Sequence, residues 1–160
     1  MAGALFYHLT RFTVEDTLAR LLPRPLAQGW RVVVRGTDPA RLDWLDRRLW
    51  LGPEEAFLPH GLAGGPHDAL QPVLLTTARD MPNAARCLMA VDGAPVTVDE
   101  AARLDRTCIL FDGGDPAAVE AARGLWRSLT GAGLAAQYWA DATGRWEKRM
   151  DRPGGPAAAP

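Results

Sequence analysis

"CILFDGGDPAAVEAARGLWRSLTGAGLAAQYWA", residues 108–140, decides the fold. It opens with a continuous apolar run, "CILFDG" (108–113), of the kind that suits a strand buried on both faces. Asp115 then stands where a helix needs a side-chain cap, and Pro116 occupies the first helical position. The helix "DPAAVEAARGLWRSL" is followed by a second strand, "GLAAQYWA". Strand, helix and strand in close succession predict a parallel pair with the helix laid across it.

The same alternation extends outward in both directions. "ALFYHL" (4–9) reads as a strand, and Thr13 caps a helix carrying Val14, Leu18, Leu21 and Leu22. "PRP" at 23–25 ends or kinks that helix, because proline lacks the backbone donor and clashes with the preceding turn. "WRVVVRG" is a short β-branched strand. "TDPARLDWLDRRLW" is a helix capped by Thr37 or Asp38, with Leu42, Leu45 and Leu49 as its core stripe. "PVLLTT" (72–77) and "CLMAV" (87–91) add strands, "TVDEAARL" a short helix, and "GLAAQYWA" is expected to close the sheet. The pattern predicts a three-layer α/β domain of Rossmann-like type over residues 1–150, with a mostly parallel sheet. "DRPGGPAAAP" (151–160) is expected as a disordered Pro/Gly/Ala tail.

Charge narrows the function. Eighteen basic residues stand against nineteen acidic ones, so bulk attraction to nucleic acid is not expected. Seventeen of the eighteen are arginine, which reflects genome-wide usage and weakens any inference from arginine at a single position. Cys87 and Cys108 each lie in an apolar run without metal-ligand spacing, as buried thiols in a reducing compartment do. No run approaches a membrane span and no signal peptide is read, so a cytoplasmic location is expected.

A Rossmann-like layout invites a nucleotide, but the first loop, "HLTRFTVED", has no G-x-G-x-x-G and no P-loop lysine. "FDGGDP" does follow a strand and open a helix, yet Asp112 and Asp115 would repel an anion there. Ser128, the one serine, is mid-helix, and His8, His60 and His67 are scattered; His8 suits a half-buried strand position. No residue is therefore expected to act in catalysis or to hold a metal or a cofactor. A nucleotide-binding enzyme on the same fold and a generic interaction module stand as the alternatives.

Two features suggest binding. On the last helix, Trp126 falls roughly 60° from Arg123, with Arg127 about 40° beyond Arg123, so the three form one edge beside the core stripe of Ala118, Ala122, Leu125 and Leu129. Such an edge suits an acidic ligand with an apolar end; the plainer reading has Trp126 filling a gap and both arginines solvated. The loop "WLGPEEAFLPHGLAGG" (50–65) carries Phe57, Leu58 and Leu62 in a stretch too irregular for a strand. It reads either as tucked over its own core or as a hydrophobic contact surface.

The chain resembles the chi subunit family of the bacterial DNA polymerase III holoenzyme. The similarity runs from "FYHL" to "TGRWEK" and is most specific in "RLDWLDRRLW…EEAFLPHGLAG", which looks like the family's "LDxxLW…SFxPHxLAG". The resemblance implies a Rossmann-like fold that has lost nucleotide binding and an accessory role without catalysis. It implies two partners, with DNA engaged only indirectly and no membrane. A psi subunit of the clamp loader would meet the positions matching Trp50 and Phe57. The acidic C-terminal tail of single-stranded-DNA-binding protein would be gripped at Arg123, Trp126 and Arg127, with tryptophan where the family has tyrosine. Three departures stand out: "LLPRPLAQ" interrupts a first helix continuous in the family, Val119 and Leu125 replace basic residues, and the tail runs past the family's usual end.

Overall fold

The computed structural model describes residues 2–51 and 59–155. In chain order the elements are β1 (Gly3–Leu9), α1 (Val14–Leu21), α2 (Pro23–Ala27), β2 (Val32–Arg35), α3 (Pro39–Trp50), β3 (Gly61–Leu62) and β4 (Val73–Thr76). There follow β5 (Cys87–Ala90), α4 (Val98–Arg103), β6 (Arg106–Asp112), α5 (Pro116–Gly131), β7 (Ala135–Ala140) and β8 (Glu147–Arg152). The sheet runs β3-β4-β2-β5-β6-β1-β7-β8 and is parallel except for the last pair. The α/β, Rossmann-like expectation therefore holds.

Local chemistry sets the helices. Thr13 accepts from the Asp16 N–H at the start of α1, Asp38 from Ala40 at α3 and Asp115 from Ala117 at α5. Pro39 and Pro116 occupy first-turn positions where a missing N–H costs nothing. Pro23 and Pro25 end α1 as expected, leaving α2 as a five-residue segment that starts at the Leu22 corner.

Side chains alternate across the strands and divide the core in two. Tyr7, Leu9, Val32, Val34, Val73, Leu75, Met89 and Cys108 point to the α1–α3 face, against Leu18, Leu42 and Leu45. Phe6, Ile109, Phe111 and Ala136 point to the other face, against Ala101 of α4 and Ala122 and Leu129 of α5. Both cysteines are buried free thiols. Truncating one of the fully buried leucines to alanine would cost roughly 2–5 kcal/mol.

Two sequence expectations need correction. The stretch around Leu62 is not too irregular for a strand, since Gly61 and Leu62 pair with Leu74 and Leu75 of β4. Nor does "GLAAQYWA" close the sheet. β8 adds itself antiparallel to β7, and Asp151 and Arg152, assigned to the tail by composition, are its last two residues. Backbone pairing carries this strand, because its side chains are almost all exposed and supply no apolar alternation. Residues 156–160 of the expected tail lie outside the described residues.

Candidate functional site

The loop after β1 is where a Rossmann-like domain would present backbone donors to a phosphate. Here the donors are present but committed. The Thr10 N–H and hydroxyl reach Asp141 Oδ1 at 2.8 and 2.7 Å, while the Arg11 and Phe12 N–H groups reach Oδ2 at 3.0 and 2.7 Å. Asp141 directly follows β7 and is buried. Burial pulls its carboxyl pKa upward, but the hydrogen bonds from Thr10, Phe12 and Arg11 outweigh this and hold it below the ordinary aspartate value. An internal carboxylate thus fills the anion nest.

The second glycine-bearing loop is similarly occupied. Asp112 Oδ1 accepts from the Gly114 N–H at 2.8 Å, and Asp115 caps α5. Gly113 is required by proximity, since a Cβ there would fall 2.0 Å from the His8 ring. His8 is half-buried, its Nδ1 lying 2.6 Å from the Tyr138 hydroxyl.

On α5 the structure brings Arg123, Trp126 and Arg127 together along one edge. Trp126 is half-buried, edge-on to Phe6 with centroids 5.3 Å apart and to Tyr138 at 6.1 Å. Its inner edge fills core space, as the plainer reading has it, and its outer part borders solvent. Arg123 and Arg127 remain 65% and 67% exposed. Both lean toward Glu120, at 3.9 and 3.6 Å, too far for hydrogen bonds. Their guanidinium donors are therefore open to a stronger acceptor. Sequence reading missed Tyr138 and Glu120. Glu120 was detectable at the i, i+3 spacing from Arg123, whereas Tyr138 arrives through the pairing of β1 with β7, opposite Phe6. Burial raises the Tyr138 hydroxyl pKa against the pull of Arg123, whose charge is felt at that ring.

Trp50 ends α3 at 48% exposure and stacks on His60, centroids 4.1 Å apart. Trp44, one turn and a half earlier, is 41% exposed and lies under Arg41 and Arg48. Leu51 beside it is 75% exposed. All three are exposed on the solvent side of α3 or at its end; Phe57, assigned with Trp50 to a partner surface, and Leu58 lie outside the described residues. Since α3 and α5 pack on opposite faces of the sheet, the two surfaces are separated by the whole core.

No three His, Cys, Asp or Glu side chains come together as a metal site among the described residues, and none of their helices is long and apolar enough to cross a membrane. What fold and site define is a Rossmann-like domain whose nucleotide loop is filled from within and whose exposed aromatic and cationic side chains lie on helix surfaces. Residues 1–137 match the family described as DNA polymerase III chi subunit, HolC. The chain belongs to that family. It is similar to the probable DNA polymerase III subunit chi of Rickettsia prowazekii, 27% identical over 85 residues, covering 53% of this chain and 52% of that protein. It is also similar to the DNA polymerase III subunit chi of Escherichia coli, 37% identical over 71 residues, covering 40% and 48% respectively. The chain thus spans about half the length of the curated relatives it matches.

Proposed function

We propose that the protein is a non-catalytic accessory subunit of the replicative polymerase's clamp-loader assembly, tying it to coated single-stranded DNA. The α3 surface around Trp50 takes a psi-like subunit, and the α5 edge takes the acidic tail of single-stranded-DNA-binding protein. The observation that carries this reading is the placement of the two surfaces on opposite faces of one sheet, which lets both partners bind at once. Trp126 and Tyr138 supply an apolar wall, and Arg123 and Arg127 supply charge-assisted donors for the carboxylates beside it.

A three-component binding assay tests this. Trp50→Ala should weaken capture of the psi-like subunit and leave tail-peptide binding intact, while Arg127→Glu should do the reverse. A tail peptide that displaces the psi-like subunit would refute the bridge.

One observation favours a ligand-binding alternative. A cleft of about 940 Å³ lies at the carboxyl ends of β1, β5 and β6, where open α/β sheets take ligands. Its charged lining is Asp92, Asp112 and Asp115 against a single Arg41, which already pairs with Asp92. Nucleotides should therefore leave the melting temperature unchanged, whereas a ligand at 100 times its Kd would add about 2.7 kcal/mol.

A further inference from the structure

The proline corner after α1 leaves part of the sheet uncovered. Because α2 ends at Ala27 and the chain turns away through Gly29 (φ +80°), helix cover stops short of β7. Leu5, Gln137 and Trp139 consequently stay partly exposed, beside the buried Tyr7, Met89 and Cys108 on the same face. Between α2 and this part of the sheet lies a second pocket, about 440 Å³, within the range that holds small ligands.

Its lining has a consistent chemistry. Tyr7, Met89 and Cys108 form a buried floor, and Leu5 and Trp139 form an apolar wall. Arg24 of α2 and Arg106 of β6 stand over it, and no carboxylate lines it. Neither arginine makes an ion pair or a side-chain hydrogen bond with any described residue; Arg106 only stacks over Trp30. Asp105, the acid next to Arg106, is taken by Arg86 at 2.5 Å. The Trp139 indole N–H donates to Gln137 Oε1 at 3.1 Å, which fixes that amide and leaves its NH₂ as a donor. The Tyr7 hydroxyl has no hydrogen-bond partner among the described residues.

We propose that this pocket binds a small ionised organic acid, its carboxylate between Arg24 and Arg106 and its apolar body against Leu5, Met89 and Trp139. Two guanidiniums without counter-charge can take a carboxylate through charge-assisted hydrogen bonds, and the Tyr7 hydroxyl and Gln137 NH₂ add neutral donors. The charge of both arginines is felt at the floor, where Cys108 opposes it. Burial raises the pKa of the Tyr7 hydroxyl, and Arg24 and Arg106 both act in the opposite direction on it. The site shares no residue with the α3 surface or the α5 edge, so it stands whether or not the bridging role does.

Octanoate is the probe, titrated into the intact protein and followed by backbone and indole amide shifts. Saturable shifts at Trp139, Gln137 and Arg106 are expected, with octanol, which lacks the charge, binding at least tenfold more weakly. Arg24→Glu should weaken octanoate about tenfold without changing the melting temperature, since Arg24 is exposed and unpaired. Gln137→Glu, which puts a negative charge inside the pocket, should do the same. Octanol binding as tightly as octanoate, shifts centred elsewhere, or unchanged affinity in both variants would overturn the assignment.

Discussion

Arg35 and the pair Arg123 and Arg127 are the same residue type in opposite circumstances. Arg35 ends β2 wholly buried, its guanidinium bonded to the Ala78, Arg79 and Pro95 carbonyls and to Glu100 at 2.7 Å. It joins β2 to α4 and to two loops, and few of its donors are left over. Arg123 and Arg127 share one distant, exposed glutamate and keep nearly all of theirs. Identity alone tells nothing here, in a chain where seventeen of eighteen basic residues are arginine. The count of satisfied donors separates a structural arginine from one available to a partner.

The buried arginine should show the largest effect. Arg35→Leu strands Glu100, which is only slightly exposed, and should cost about 3–5 kcal/mol in urea unfolding, as removal of one partner of a buried ion pair does. Loss below 1 kcal/mol would mean that the buried arginine is no more committed than the surface ones. Asp141→Asn removes an acceptor from a buried network and should cost roughly 1–3 kcal/mol at neutral pH. Because the folded pKa of Asp141 lies below its unfolded value near 3.9, its contribution is full above that pH and fades as pH falls through the folded value. The gap between wild type and Asp141→Asn should narrow below about pH 4; a gap constant with pH would show that the carboxylate's charge is irrelevant.

The exposed pair should give the reverse result. Arg127→Glu should reduce acidic-tail affinity about tenfold while stability stays within roughly 0.5 kcal/mol. Unchanged affinity there and in Arg123→Glu would place the tail elsewhere. Glu120→Gln frees both guanidiniums and should tighten the tail about two- to threefold at low salt, with the gain lost at high salt. If affinity falls instead, Glu120 orients the arginines rather than competing for them.

Features carried by local chemistry were legible in the sequence. Thr13 and Asp115 announced their helices, Thr37 or Asp38 announced a third, the apolar runs announced the central strands, and Pro23 and Pro25 announced the break after α1. The α5 edge was legible too, because helical spacing alone places Arg123, Trp126 and Arg127 together. Features that depend on distant pairing were hidden. Asp141 lies about 130 residues from the N–H groups it satisfies, and "DATGRW" gives no sign of it. Tyr138 joins Trp126 only through strand register. β8 left no strand signal in the sequence, because its six residues pack almost no apolar surface.

That polar strand has a consequence for how the molecule behaves in crowded company. A sheet's outermost strand exposes a row of unpaired amide groups that any extended polypeptide can extend, the common route to fibrils and swapped oligomers. In β8, "EKRMDR", five of six side chains are ionisable, and both signs occur. Stacking a second copy alongside would bring these charges into register with no apolar gain to offset their desolvation. At the opposite margin β3 offers only two residues to extend. Among the described residues the sheet is thereby guarded at both margins against promiscuous strand addition.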